Sequence, residues 1–65
     1  MSNATNEFRA FLTENAELYD YEDPIFYNED DQMWYYYPVT WSYPMGPFID
    51  RDEAEDACMN EFYNG

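Results

Sequence analysis

Residues 25–37 read IFYNEDDQMWYYY, two runs of β-branched and aromatic residues on either side of a polar stretch. Ile, Phe, Tyr and Trp favour strands, whereas Asn and Asp favour turns. The spacing predicts a β-hairpin with strands over 25–27 and 33–37 and a turn over 28–31. Pro38 is expected to end the second strand or confine it to an edge, because proline cannot donate to a ladder of hydrogen bonds.

The second strand of this hairpin is aromatic on both faces. Side chains alternate along a strand, so Trp34 and Tyr36 are expected on one face, and Met33, Tyr35 and Tyr37 on the other. We expect helices to cover one face and to leave the other exposed. Residues 39–43 offer a third strand, and PMGP at 44–47 has the composition of a turn.

Apolar residues recur at helical spacing on both sides of the hairpin. A first helix is predicted over 5–18, with Thr5 or Asn3 as its N-cap. A second helix is predicted to begin after Asp50, with Glu53 three residues later as in a capping box. The expected buried stripes are Phe8, Phe11, Leu12 and Ala16 on the first helix, and Ala54, Ala57, Cys58 and Phe62 on the second.

The order of elements is therefore helix, hairpin of two or three strands, helix. This order predicts an α+β fold, with residues 1–65 forming one small domain. A chain of this length is too short for two domains, and on folding it buries only about 60% of its unfolded surface. There is little room for a deep catalytic cleft.

The charge of the chain is strongly unbalanced, with 15 acidic residues, two arginines, no histidine and a net charge of −13. We do not expect the protein to bind nucleic acid directly, because phosphate contacts require Lys and Arg. High charge often indicates disorder, but 23% of the residues are aromatic. Disordered acidic segments are poor in aromatic residues, so we expect a folded domain.

Catalysis, metal binding and cofactor binding are not expected. Cys58 has no histidine to activate it, and one cysteine without histidine cannot hold a soft metal. The acidic residues do not follow the order of a calcium-binding loop. A basic-then-apolar leader and a long apolar run are both missing from the sequence, so the expected location is cytoplasmic, without membrane binding.

The acidic surface is the strongest functional signal. Thirteen charges correspond to roughly 22 Å of duplex DNA, close to the size expected of this chain. In charge and size the whole chain resembles the small acidic DNA-mimic inhibitors encoded by bacteriophages, which include anti-restriction proteins, uracil-DNA glycosylase inhibitors and some anti-CRISPR proteins.

That resemblance implies a non-catalytic inhibitor acting in the host cytoplasm as a monomer or homodimer. Its partner would be a basic host protein: a nuclease, CRISPR effector, glycosylase, recombinase or RNA polymerase. Acidic residues would steer the contact, and aromatic residues would anchor it. The expected contact residues are Asp52, Glu55 and Asp56 on the second helix, then Glu29, Asp30 and Asp31 in the turn, with Trp34 and Tyr36 as anchors.

An alternative comes from the aromatic residues. The segments Trp34-Tyr35-Tyr36, Gly46-Pro47-Phe48 and Phe62-Tyr63 resemble the spacing in GYF domains over about half of the chain. The tripeptide that names the family is not matched, because Glu61 precedes Phe62-Tyr63. This resemblance implies an adaptor that binds a proline-rich peptide through Trp34, Tyr36 and Phe48.

Overall fold

A computed structural model describes residues 5–64. It has two helices and a three-stranded antiparallel sheet, which confirms the α+β fold class and the predicted order of elements. The elements are α1 (Asn6–Glu14), β1 (Ile25–Asn28), β2 (Met33–Tyr36), β3 (Met45–Phe48) and α2 (Arg51–Asn64).

The sheet is a meander with strand order β1-β2-β3. In the predicted hairpin, Ile25 pairs with Tyr36 and Asn28 pairs with Met33. Strand β2 is central and strand β3 is an edge, paired to β2 through an irregular register between Trp34 and Tyr36. The sequence IFYNEDDQMWYYY therefore forms the hairpin that its composition predicts.

Both helices lie on one side of the sheet. Helix α2 packs against all three strands, and α1 packs on α2. The body measures 31 × 27 × 20 Å, with a radius of gyration of 11.0 Å. The buried core between the layers consists of Phe8, Phe11, Tyr19, Ile25, Tyr36, Ala54 and Cys58.

Helix α1 is shorter than the sequence predicts, ending at Glu14 rather than at 18. Asn15 is the C-cap residue, and its backbone leaves the helical conformation at φ −118° and ψ 27°. Its backbone N–H makes the last helical hydrogen bond, to the carbonyl of Phe11 at 3.1 Å, and its side-chain amide donates to the same carbonyl at 2.9 Å. Successive tight turns follow and bring Tyr19 into the core. The apolar spacing that suggested a longer helix continues through these turns.

The predicted third strand is wrong in its position. Residues 39–43 form a loop in which Trp41 has a φ of 54°, and β3 is the segment that was predicted to be a turn. Gly46 permits this strand, since a Cβ atom there would lie 2.6 Å from Cδ2 of Tyr35. Pro47 is tolerated because β3 is an edge strand, where a missing N–H does not break the ladder.

Candidate functional site

The acidic residues are almost all on the surface. Fourteen of the fifteen carboxylate side chains are exposed, and the exception is Glu55. Of the two arginines, Arg51 is half-buried and paired with acidic residues, which leaves Arg9 as an exposed cation. The surface of residues 5–64 is therefore strongly anionic, with few internal counter-charges.

Three of the four exposed acidic residues of α2 lie toward its N-terminal end, and the fourth, Glu61, lies near its C-terminal end. Asp52 and Asp56 are exposed as predicted, and Glu53 is exposed beside them. Asp50 caps the helix, since its Oδ1 accepts a hydrogen bond of 2.9 Å from the N–H of Glu53. The surface row on this helix consists of Asp52, Glu53 and Asp56, which we call the α2 acidic row.

The expectation that Glu55 projects into solvent is wrong. Its exposed fraction is 1%, and its Oε2 accepts a hydrogen bond of 2.7 Å from Nε of Arg51, one helical turn earlier. The other oxygen, Oε1, accepts a hydrogen bond from the hydroxyl of Thr5 at 3.1 Å. Glu55 therefore stabilises the fold and is not available to a partner.

Arg51 connects this carboxylate to the start of the sheet. Its Nη2 lies 2.5 Å from Oδ2 of Asp23, whose Oδ1 accepts a hydrogen bond from the N–H of Ile25 at 2.9 Å. Burial opposes the charge of Arg51, but the hydrogen bonds to Asp23 and Glu55 raise its pKa overall. This network joins α1, α2 and β1, and no sequence motif indicated it.

The turn of the hairpin is a second acidic surface. Glu29, Asp30 and Asp31 are all exposed, as predicted. The turn is held by local hydrogen bonds, including one of 3.1 Å from the N–H of Met33 to Oδ1 of Asp31. The other oxygen of Asp31 accepts the hydroxyl of Tyr35, and this hydrogen bond raises the pKa of Tyr35.

The two aromatic residues predicted as anchors face the helices. Tyr36 has an exposed fraction of 4%, and its hydroxyl donates to Oε1 of Glu61 at 2.6 Å. Burial, together with this hydrogen bond, raises the pKa of Tyr36. Trp34 is half-buried beside Tyr27, with ring centroids 5.2 Å apart. Tyr36 is therefore a core residue, and Trp34 packs on the same side of the sheet.

The opposite face of the sheet carries a different set of rings. Phe26 stacks between Tyr35 and Tyr37, with centroid distances of 5.6 and 5.2 Å. All three rings are half-buried, although both helices lie on the other side of the sheet. The covered face is therefore the one with Trp34 and Tyr36, whereas the rings on the opposite face are half-buried rather than exposed as predicted.

A cleft lies beside α2, between the loop that follows β2 and the C-terminal half of that helix. Its volume is about 550 Å³. Leu18, Val39 and Tyr43 line it and are largely exposed, while Glu61 lies on the α2 side. Sequence reasoning missed this cleft, since its walls come from three separate segments of the chain.

The cysteine of this chain, Cys58, is buried on α2. Burial raises the pKa of the Cys58 thiol to about 11, partly offset by its contact with the hydroxyl of Tyr19 at 3.7 Å. A thiol in this state is a poor nucleophile. Within residues 5–64, no group of three or more His, Cys, Asp or Glu side chains is placed to hold a metal ion. Neither of the two helices described is long and apolar enough to cross a membrane.

Comparison with known proteins adds no family to this description. No protein-family model matches the sequence, and no curated protein or solved structure is significantly similar to it.

Proposed function

We propose that this protein is a non-catalytic inhibitor that binds a basic nucleic-acid-binding protein and occupies its nucleic-acid surface. The observation that supports this proposal most directly is that fourteen carboxylates are exposed on a domain of 31 × 27 × 20 Å. Duplex DNA as long as the largest dimension carries about 18 phosphate charges, comparable to the net charge of −13. The protein thus offers a DNA-like charge density on a folded scaffold.

The charge is larger than solubility requires. A small domain stays in solution with a net charge of about 2–8, and the excess repulsion here opposes the folded state. Between residues 5 and 64 the buried core has seven apolar residues, and a core of this size gives the domain only a small free energy of unfolding. A binding role for the carboxylates accounts for this cost, because complementary charge accelerates association with a basic partner.

The contact surface is proposed to include the α2 acidic row and the turn residues Glu29, Asp30 and Asp31. The row lies on a regular helix, and the turn is held by hydrogen bonds, so both lose little conformational entropy on binding. The partner belongs to the class of nucleases, CRISPR effectors, glycosylases, recombinases or RNA polymerases. A phage origin and action in the host cytoplasm are part of the same proposal.

The alternative, an adaptor that binds a proline-rich peptide, requires Trp34, Tyr36 and Phe48 to be exposed together. Tyr36 is buried, and Trp34 and Phe48 are half-buried on the side of the sheet that faces the helices. These three rings do not form an exposed groove for a proline-rich peptide. We therefore do not propose a peptide adaptor that uses them.

The proposal is tested by capture of partners from a bacterial lysate, followed by competition with duplex DNA for each purified partner. Neutralising the α2 acidic row as D52N/E53Q/D56N should slow association severalfold and flatten its dependence on salt. The matched control is E7Q/E14Q/E17Q, which removes the same three charges from the region of α1. This control should have a smaller effect.

Two outcomes contradict the proposal. One is direct binding of the purified protein to duplex DNA. The other is a ternary complex in which partner, DNA and this protein coexist without weakening each other. If both triple variants slow association equally, the α2 acidic row has no special role, and only the total charge matters.

A further inference from the structure

The cleft beside α2 has the dimensions of a recognition site. Its volume of about 550 Å³ lies within the range of about 300–1,000 Å³ that is typical of ligand-binding clefts. Its rim includes three exposed apolar side chains, Leu18 (52% exposed) before the sheet and Val39 (40%) and Tyr43 (62%) in the loop after β2. The polar side chains of Thr40 and Ser42 lie between the last two. Apolar groups that converge on one cleft are expected to favour an apolar occupant.

One charged group faces this apolar rim. Among the described residues that line the cleft, only Glu61 is charged at neutral pH. Its Oε1 accepts the hydroxyl of Tyr36 at 2.6 Å, whereas Oε2 has no hydrogen-bond partner within residues 5–64. The hydrogen bond fixes the carboxylate against the covered face of the sheet and leaves its second oxygen available to a donor.

We propose that this cleft binds an apolar–basic segment of the partner, with an apolar side chain against Leu18 and Val39 and an arginine or lysine paired with Glu61. The proposal rests on the proposed function, because it names the part of a basic partner that is held. Charge complementarity selects this occupant, since the net charge of −13 repels an acidic segment and also a second copy of the chain.

The cleft and the acidic surface would have different tasks. Surface carboxylates act at long range and accelerate the encounter, but they contribute little once salt screens them. Burial of an apolar side chain in a cleft slows dissociation and is insensitive to salt. The aromatic residues expected to anchor a partner were Trp34 and Tyr36, and the cleft supplies an anchor site that does not require either ring to be exposed.

The test uses isotopically labelled protein and the blocked peptide acetyl-GLRLRG-amide, followed by NMR shift titration at millimolar peptide. The largest shifts are expected at Leu18, Val39, Tyr43 and Glu61. The matched peptide acetyl-GSRSRG-amide has the same charge without the leucines and should bind about tenfold more weakly. The peptide acetyl-GLELEG-amide should not bind.

Two variants separate the cleft from the general charge. Glu61→Gln can still accept the hydroxyl of Tyr36, yet it should weaken acetyl-GLRLRG-amide about tenfold, because a charge-assisted hydrogen bond is lost. Glu7→Gln removes the same charge away from the cleft and should change the affinity by less than about twofold. Val39→Ser alters an exposed loop residue and should also weaken binding.

The inference is overturned if the shifts map to the α2 acidic row or the turn instead of the cleft, if the serine peptide binds as tightly as the leucine peptide, or if no shift occurs. Failure here is distinguishable from failure of the proposed function. Competition with DNA that is as strong in Glu61→Gln and Val39→Ser as in the unaltered protein rejects the cleft and keeps the inhibitor. Peptide binding in the cleft without any competition with DNA rejects the inhibitor and keeps the cleft.

Discussion

Glu55 completes the N-terminal cap of α1 at Thr5, which lies fifty residues earlier in the chain. The hydroxyl of Thr5 accepts the N–H of Phe8 at 3.1 Å and donates to Oε1 of Glu55 at 3.1 Å. The N–H of Thr5 donates to the same oxygen at 3.4 Å. In a capping box, a glutamate three residues after the cap accepts this N–H. Here the glutamate comes from α2, so the cap of α1 depends on tertiary packing.

Replacement of Glu55 should therefore destabilise the whole domain. Glu55→Ala removes one partner of a buried ion pair, and the free energy of unfolding should fall by about 3–5 kcal/mol. Glu55→Gln keeps the size of the side chain and should cost less, about 1.5–3 kcal/mol. Urea unfolding measures both, with Asp56→Asn as the exposed control. A loss for Glu55→Ala no larger than that for Asp56→Asn would contradict this role.

Gly46→Ala should destabilise the edge strand. The new Cβ atom would lie 2.6 Å from Cδ2 of Tyr35 and 3.0 Å from the carbonyl oxygen of Trp34, at a backbone φ of 153°. We expect a loss of about 1–3 kcal/mol in unfolding free energy. In the double variant with Tyr35→Ala the two losses should be less than additive, because the closest collision is removed. A loss below about 0.5 kcal/mol would show that β3 adapts freely.

Trp34→Ala should lower the free energy of unfolding. The ring packs beside Tyr27 and against the core on the helix side of the sheet, so its removal leaves a cavity. The expected loss is about 3 kcal/mol, near the lower limit for deletion of a buried aromatic ring. Tyr43→Ala is the control, since that ring is largely exposed and should cost much less. Equal losses from the two variants would be inconsistent with the position of Trp34.

The domain should lose stability at alkaline pH. Burial raises the pKa of Cys58 from 9.0 to about 11, and burial also raises the pKa values of Tyr19 and Tyr36. In this range the folded state binds more protons than the unfolded state, so the free energy of unfolding falls as pH rises. The contribution of Cys58 is complete below about pH 9 and is lost as pH rises to about 11.

Urea midpoints measured across that pH range test this expectation. Cys58→Ala should show a shallower fall, and the tyrosines should account for what remains. A midpoint that stays constant from about pH 8 to about pH 11 would contradict it.

Added salt should stabilise the fold. The exposed carboxylates repel one another, and an increase in ionic strength from about 0.01 M to about 0.15 M shortens the screening length from about 30 Å to about 8 Å. The melting temperature should therefore rise with salt, and it should rise less in the D52N/E53Q/D56N variant. A melting temperature that is independent of salt would mean that the charges are already neutralised, for example by bound cations.

The sequence alone predicted the elements that are stabilised by contacts between residues close together in the chain. The start of α2 follows from Asp50 and its hydrogen bond to the N–H of Glu53, three residues away. The hairpin follows from two β-prone runs separated by a polar turn, and its strands lie within one residue of the predicted limits. Such features depend on backbone geometry and side-chain type over a few residues, which is why the sequence alone predicts them.

Tertiary structure decided the features whose partners are distant. Glu55 lies at the edge of the buried face of α2, and it is buried because it forms hydrogen bonds with Thr5 and Arg51. Helical spacing alone does not predict these contacts. Strand β3 contains Gly46 and Pro47, which locally favour a turn, but pairing with β2 overrides that preference. The cleft with Glu61 has walls from three segments, so its chemistry exists only when the chain is folded. Each of these features is stabilised by contacts across the domain that are not encoded in any short run of residues.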